Sequence, residues 1–423
     1  MRSTFVLLAA SSVLGALAAL SACSSPATIA ADDAGADGGA ADGAVGADAP
    51  VDAGPDARYL DTFPAPHAPI PQVVPQPGVP ANVIAHPQIV TITFDTDGAK
   101  SDVQAFTDAM VGSEWWAATT REYCSGGGDC IGPLSVAAHV SLPSAPASLK
   151  LAEVESYLYQ LIADHTVPAP SSDVIYTFFF PASVKLGEPG FEGCKAFDGY
   201  HSLTGNYPGG VDAGDLDGGP MPNVAYAVVA RCSNKISEMT LTAAHEWIEA
   251  ATDPDGYGYT VNDPAWGAFF YSEVGDLCDF EPTTLVGKYT VQRGYSNLAA
   301  KAGKNPCVPN TAGELYFNAA PEKSRVKIAV GQTVTIDVMP YSEKGVGEFT
   351  LDALDLATLY GKPAVVEATV DQSTVRNGLP VTVTLKLLSP PVPLNTGERA
   401  AVVALRSTQG KVEHYWPILV SPK

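Results

Sequence analysis

One short stretch holds the residues best suited to chemistry: Thr242-Ala243-Ala244-His245-Glu246-Trp247-Ile248-Glu249, running on through Ala250-Ala251-Thr252-Asp253-Pro254. On a helix, residues four apart leave the same face, so His245 and Glu249 can grip one ion together. Glu246 is one step round, close enough to reach a water held on that ion. Ala243, Ala244, Ile248, Ala250 and Ala251 make the rest of the helix apolar. That is a poor home for three ionisable groups unless they are paired or bound. The plain alternative is a solvated acidic face, with His245 merely paired to a carboxylate.

A third ligand is needed, and the sequence offers two sources. Downstream lies Ser272-Glu273-Val274-Gly275-Asp276-Leu277-Cys278, in which Glu273 and Asp276 share a face if the segment is helical. The rival is Asp255, close behind the motif but approached through the stiff Pro254.

The first stretch resembles the zincin metallopeptidases, whose helix carries His-Glu-x-x-His. There two His bind zinc and the intervening Glu is the general base. The match departs at Glu249, which stands where the second His should be. Replacing an imidazole by an anion lowers the ion's net charge, acidifies its water less and shifts preference toward harder cations. Zinc still accepts carboxylate ligands. The downstream pair is similar to that of the gluzincin group, where a Glu on a second helix completes the shell and a nearby Asp supports the first His. The resemblance implies Glu273 as ligand and Asp276 on the second nitrogen of His245, or Asp276 as the direct ligand. Asp255 sits where metzincins place their third ligand, but Thr252 replaces the Gly that group needs.

A second, weaker likeness runs over residues 193–278, through Cys194, Gly199-Tyr200-His201, Cys232, His245-Glu246, Thr252-Asp253-Pro254, Glu273, Asp276 and Cys278. It looks like the phosphate-induced, EXORDIUM-like extracellular proteins. It singles out His201, either as a group that could stabilise a transition state near the metal or as a loop histidine. Together the resemblances imply one divalent ion, zinc, held by His245, Glu249, Glu273 and Asp276, with Glu246 and His201 catalytic. The reaction implied is hydrolysis of peptides or proteins. The other class open to such a chain is a non-catalytic envelope or surface binding protein with an idle site.

The elements that must position these residues are expected in two folded regions. Residues 88–310 read as an α+β zincin-like domain. Its strands are expected at 88–94, 174–180 and 224–230, and its helices at 102–119, 149–165 and 236–252, the last capped by Ser237. Residues 320–423 read as an all-β immunoglobulin-like sandwich, with alternating strands at 326–330, 333–339, 364–370, 381–387, 400–405 and 414–420. Asn377-Gly378 and Gln409-Gly410 supply tight turns. Tyr257, Tyr259, Trp266, Phe269, Phe270 and Tyr271 could line a cleft or pack a core. Asp212, Asp215 and Asp217 in a Gly-rich segment fail the spacing of a calcium loop and read as a solvated turn.

Residues 1–22 have the layout of a secretory signal: Arg2, then an uncharged apolar run. It ends in Leu20-Ser21-Ala22-Cys23, which resembles the bacterial lipobox and implies a lipid on Cys23 that anchors the chain in a membrane. Ser24 in place of Asp directs the expectation to the outer membrane or cell surface. Residues 23–87 read as an Asp, Ala and Gly-rich tether followed by a Pro-rich spacer. Apart from Cys23 the cysteines are Cys124, Cys130, Cys194, Cys232, Cys278 and Cys307, expected to pair in that order in an oxidising compartment. With 24 Lys plus Arg against 46 Asp plus Glu, the formal charge is -22. Such a chain has little with which to neutralise phosphates, which excludes a nucleic-acid partner.

Overall fold

Five strands form the sheet that carries the site: β1 (Gln88–Phe94), β2 (Ser135–Leu142), β3 (Val174–Phe180), β4 (Gly199–Leu203) and β5 (Ala225–Ala230). The structure, a computed structural model, describes residues 59–205, 223–394 and 397–423. The expected signal, Cys23 and most of the tether, and Asp212, Asp215 and Asp217, lie outside the described residues. Spatial order is β2-β1-β3-β5-β4, parallel throughout except for β4, which closes one edge antiparallel to β5.

β3, with the sequence VIYTFFF, is buried along its whole length because both faces of the sheet are covered. Ile175 and Phe179 join one apolar cluster, while Tyr176, Phe178 and Phe180 join another. A helix, Leu151–Ala163, covers the second face with Val154, Leu158 and Ile162. The first face is covered by the helix Lys100–Met110 and by the site helix Ile236–Thr252, here α1 and α2. Helices on both sides of a mostly parallel sheet make a more regular layering than the expected α+β arrangement.

Two expected helix features are corrected. Residues 102–119 are not one helix: Gly112 takes φ 66°, and Ser113 starts a new helix, Glu114–Thr120, by accepting from Trp116 N at 3.2 Å. Ser237 is not the cap of α2. Lys235 occupies that position and Ser237 lies in the first turn.

The C-terminal region is a two-sheet β-sandwich. One sheet orders Phe317–Pro321, Thr333–Ser342, Val381–Leu387 and Val366–Val370. The other orders Arg325–Ile328, Val412–Pro422, Ala401–Gln409, Glu348–Asp355 and Thr374–Arg376. Its core is continuous with that of the first region. Trp266 meets Trp416 edge-on at 5.5 Å, and Phe269 lies 5.5 Å from Tyr415. The helix Pro264–Phe270, which feeds directly into the Glu273–Asp276 segment, therefore rests on the sandwich.

From Tyr59 onward the Pro-rich segment is not a free spacer. Val73–Pro75 pairs antiparallel with Tyr259–Val261, and Ile84 N donates to Ala251 O at 2.9 Å. Asn377 accepts from Ala65 N at 2.9 Å and donates to Thr62 O at 2.8 Å. Prolines leave these backbone groups extended and unpaired within the segment, so they are free to bond both folded regions. The described disulfides are Cys124–Cys130, Cys194–Cys232 and Cys278–Cys307.

Candidate metal centre

α2 is apolar enough to be swallowed by the core, and it takes its polar residues inside with it. His245, Glu246 and Glu249 have no exposed surface. Trp247 fixes the helix on the sheet by donating from Nε1 to Thr177 Oγ1 of β3 at 2.8 Å. Three other segments converge on the helix. Strand β4 delivers His201, the turn after Pro264–Phe270 delivers Glu273, Asp276 and Asp279, and Gln292 follows the strand Tyr289–Val291. The Cys278–Cys307 disulfide ties that turn to the segment entering the sandwich.

His245 Nε2 lies 3.0 Å from Glu249 Oε1 and 3.8 Å from Asp276 Oδ1. Its other nitrogen, Nδ1, is 2.9 Å from Gln292 Oε1. Gln292 Nε2 donates to Gly275 O at 2.7 Å and to Asp279 Oδ1 at 2.9 Å, which assigns the amide orientation. Its oxygen therefore accepts, and His245 Nδ1 carries the proton. His201 repeats the arrangement. Nε2 is 3.2 Å from the Asp253 carbonyl, which can only accept, so that nitrogen donates. Nδ1 then turns toward Glu246 Oε2 and Glu249 Oε2, both at 3.4 Å. Glu273 Oε1 stands 3.5 Å from His201 Nε2.

Among the described residues, neither oxygen of Glu246, nor Glu249 Oε2, nor Glu273 Oε2, accepts a hydrogen bond, although all are buried. Among the described residues, the ion pairs of these carboxylates are to His201 and His245, and none is to Lys or Arg. Burial alone would raise the Glu249 carboxyl, but the His245 and His201 rings outweigh it and hold it at about 2. Burial pushes Glu246 up, and burial with the Glu249 charge pushes Glu273 and Asp276 well up. Asp253 and Asp279 are raised to about 6, chiefly by burial. Burial pulls His201 down, but Glu273, Glu246 and Glu249 carry it well above 6.5. The cluster is short of positive charge.

Two glycines make the packing possible. A Cβ on Gly275 would stand 2.8 Å from Glu249 Oε1 and 3.0 Å from His245 Nδ1. One on Gly199 would stand 2.4 Å from Thr242 Cγ2 and 2.9 Å from Glu246 Oε1.

His201, His245, Glu246, Glu249, Glu273 and Asp276 all meet here, in roles that differ in part from those expected. Asp276 does not hold the second nitrogen of His245; Gln292 does, because Asp276 Oδ2 is turned back to Ser272 N and Glu273 N at 3.3 and 3.2 Å. Glu273 and Asp276 do not share a second helix. The segment forms only a single 3-10 turn, Asp276–Cys278. His201 is a strand residue, not a loop histidine. Asp255 faces away, accepting from Asn82 Nδ2 at 2.7 Å and Tyr257 N at 3.1 Å. Trp266, Phe269 and Phe270 are core, while Tyr257 and Tyr271 are exposed. Sequence reasoning missed Gln292 and Asp279. Asp279 follows Cys278 in an acidic run that hints at it; no signal marks Gln292.

Fold and site define a mixed α/β protein with a buried imidazole and carboxylate centre and a C-terminal β-sandwich. No protein-family profile and no curated protein matches the chain. Among solved structures it is similar to domain 1 of VCBP3 from Branchiostoma floridae, with 9% identity and a TM-score of 0.19, over 26% of this chain and 98% of that one. It is also similar to the periplasmic chaperone SfaE, with 15% identity and a TM-score of 0.19, over 25% of this chain and 58% of that one. Likenesses this distant say nothing about function.

Proposed function

We propose that the chain is an exported, lipid-anchored, metal-dependent hydrolase of zincin-like type, acting on peptides or proteins outside the cytoplasm. One observation carries the reading: His245 and His201 each give one ring nitrogen to an acceptor and turn the other toward buried carboxylate oxygens. Of these, Glu246 Oε2 and Glu249 Oε2, facing His201, accept no hydrogen bond among the described residues, while Glu249 Oε1, facing His245, accepts from Asp276 N at 3.1 Å. Two lone-pair groups facing each other in a dry site repel unless a proton or a cation lies between them. The donor set of His245 Nε2, Glu249 Oε1 and Asp276 Oδ1 fits a divalent ion; these atoms lie within 4.8 Å of one another. Zinc is the ion the His-Glu start of the motif favours, and the extra carboxylates extend tolerance to harder cations. When bound, the ion supplies Lewis acidity toward a water and a substrate carbonyl.

The chain's own residues supply the rest. Glu246 is held out of water with its carboxyl raised, which suits a group that takes a proton from an attacking water and returns it to the leaving amine. Gln292 fixes the tautomer of His245. Edge strand β4, with one side unpaired among the described strands, is where an extended peptide would add most simply. The lipobox-like Leu20-Ser21-Ala22-Cys23 and the disulfides suit an anchored, exported chain.

One observation favours the rival reading, a non-catalytic envelope protein: His245, Glu246 and Glu249 have no exposed surface. Metal analysis of the purified protein and digestion of a broad peptide pool separate the two. The hydrolase reading expects bound divalent metal, cleavage by the wild type, and a Glu246→Gln variant that keeps metal but loses cleavage by 100-fold or more, at the upper end of general acid–base effects. Metal without cleavage leaves the binding protein. Absence of metal sinks the hydrolase reading and leaves the non-catalytic protein.

A further inference from the structure

We propose that the centre holds two divalent cations rather than one, with Glu249 bridging them. This rests on the metal-binding reading above and goes beyond it in number, ligands and roles.

Two ligand trios meet the geometry of an ion site, and they share a single residue. One is His245, Glu249 and Asp276; the other is His201, Glu246 and Glu249. In each trio the ligand atoms lie within 4.8 Å of one another, and all of these residues are buried. The trios use opposite oxygens of the shared carboxylate. Oε1 faces His245 Nε2 at 3.0 Å, and Oε2 faces His201 Nδ1 at 3.4 Å. A carboxylate with one oxygen toward each of two imidazoles is the arrangement that spans ions roughly 3.5–4 Å apart.

The histidines are prepared in the same way from different parts of the chain. Gln292 Oε1 accepts a hydrogen bond from His245 Nδ1, and the Asp253 carbonyl accepts one from His201 Nε2. Each is left with one inward nitrogen aimed at two carboxylates, the second-sphere device that orients a metal-ligating imidazole. His201 comes from the sheet edge, so it is not an accident of the helical motif.

Distances agree. A protonated His201 in ion pairs would draw its partners to about 2.7–2.9 Å. Instead Glu246 Oε2 and Glu249 Oε2 both stop at 3.4 Å from Nδ1. Donor atoms about 2.1 Å from a shared tetrahedral ion sit roughly 3.4 Å from each other. Charge agrees as well. Glu246, Glu249, Glu273 and Asp276 all face inward with no Lys or Arg paired to them among the described residues. Glu246 Oε2 and Glu249 Oε2, two of the buried oxygens that accept no hydrogen bond among the described residues, both face His201.

With two ions, Glu246 becomes a ligand through Oε2, and His201 is a ligand rather than a stabiliser of a transition state. Glu273, whose Oε2 accepts no hydrogen bond, becomes the carboxyl placed to exchange a proton with substrate or water.

The test is metal stoichiometry on the purified wild-type protein, loaded with Zn2+ or Mn2+ and freed of excess ion, alongside the electron paramagnetic resonance spectrum of the Mn2+ form. Two equivalents and an exchange-coupled two-Mn2+ spectrum are expected. His201→Gln and Glu246→Gln each fall to one equivalent and lose the coupling, with far-ultraviolet circular dichroism unchanged. If a variant does not fold, the wild-type count and spectrum decide alone. One equivalent with an uncoupled spectrum overturns the two-ion site and leaves the single-ion hydrolase standing. Unchanged stoichiometry in a folded His201→Gln overturns it too. No bound metal overturns both.

Discussion

Gln292 and His245 are locked together by a chain of donors that runs one way. The Gln292 amide nitrogen donates to Gly275 O and Asp279 Oδ1, so its oxygen is the atom that accepts from His245 Nδ1, at 2.9 Å. The imidazole tautomer is thus set by a residue 47 positions away in sequence. Trp115 Nε1 donates to the Gln292 carbonyl at 2.6 Å and holds the backbone in place.

Gln292→Leu removes the acceptor while keeping most of the volume. Loss of such a second-sphere partner costs roughly 10–100-fold in metal affinity. Titration of the metal-free variant with Zn2+ against a competing chelator should show a drop of that size. An unchanged affinity would mean that the tautomer does not matter and that Nε2 is no ligand.

Gly275 offers a steric test with an unusual sign. Its backbone is right-handed helical, φ -74° and ψ -53°, where Gly→Ala ordinarily stabilises by about 0.4–1 kcal/mol. Here the added methyl would meet Glu249 Oε1 at 2.8 Å and the His245 ring at 3.0 Å. Gly275→Ala is expected to destabilise by about 1–3 kcal/mol instead, the range for overpacking. It should also weaken metal binding, read by chemical denaturation and by the same chelator competition. A stabilised variant with native affinity would show that the turn does not press on the site.

Parts of this architecture are legible in the sequence for clear physical reasons. Val174–Phe180 and Val381–Leu387 are β-branched or aromatic runs bounded by turn residues, and Ile236–Thr252 is long and ends at Asp253-Pro254. Cysteine order alone matches the described pairings. Strands such as Gly199–Leu203 and Phe317–Pro321 are not legible, because small, polar or Pro residues dilute their pattern and pairing with a neighbour imposes the extended form. His245, Glu246, Glu249, Glu273 and Asp276 could be nominated by type and spacing, and His201 only through the weaker family likeness. Their partners Gln292 and the Asp253 carbonyl could not, since each acts through a contact that only the tertiary fold creates.

A pH effect is expected away from the centre, at Glu314. Burial alone would raise its carboxyl, but Arg293, Thr311 N and Asn305 outweigh it and hold it at about 2, below the ordinary 4.5. Arg293 bonds both of its oxygens, at 2.7 and 2.9 Å. A depressed carboxyl stabilises the fold above the unfolded value, and that contribution fades as pH falls from about 4.5 toward 2. The stability gap between wild type and Glu314→Gln, measured by urea denaturation, should be widest near neutral pH and close over that interval. A gap that stays constant to pH 2 would show that the pair is not charge-assisted in solution.

Glu246 should reveal the cost of keeping an acid ready in a dry site. In metal-free protein its oxygens accept no hydrogen bond, and burial raises its carboxyl. A buried carboxyl answered only by the His201 ring at 3.4 Å among the described ion pairs still costs stability, and replacing it with a neutral group of similar shape recovers about 1–3 kcal/mol. With chelator present, Glu246→Gln should therefore melt higher than the wild type. With saturating metal the order should reverse, because a cation stabilises the fold in proportion to its affinity and the carboxylate contributes to that affinity. Thermal melts of both proteins with and without metal check the crossover directly. If Glu246→Gln melts lower in both conditions, the carboxylate is a structural element, and the case for Glu246 as a working group is lost.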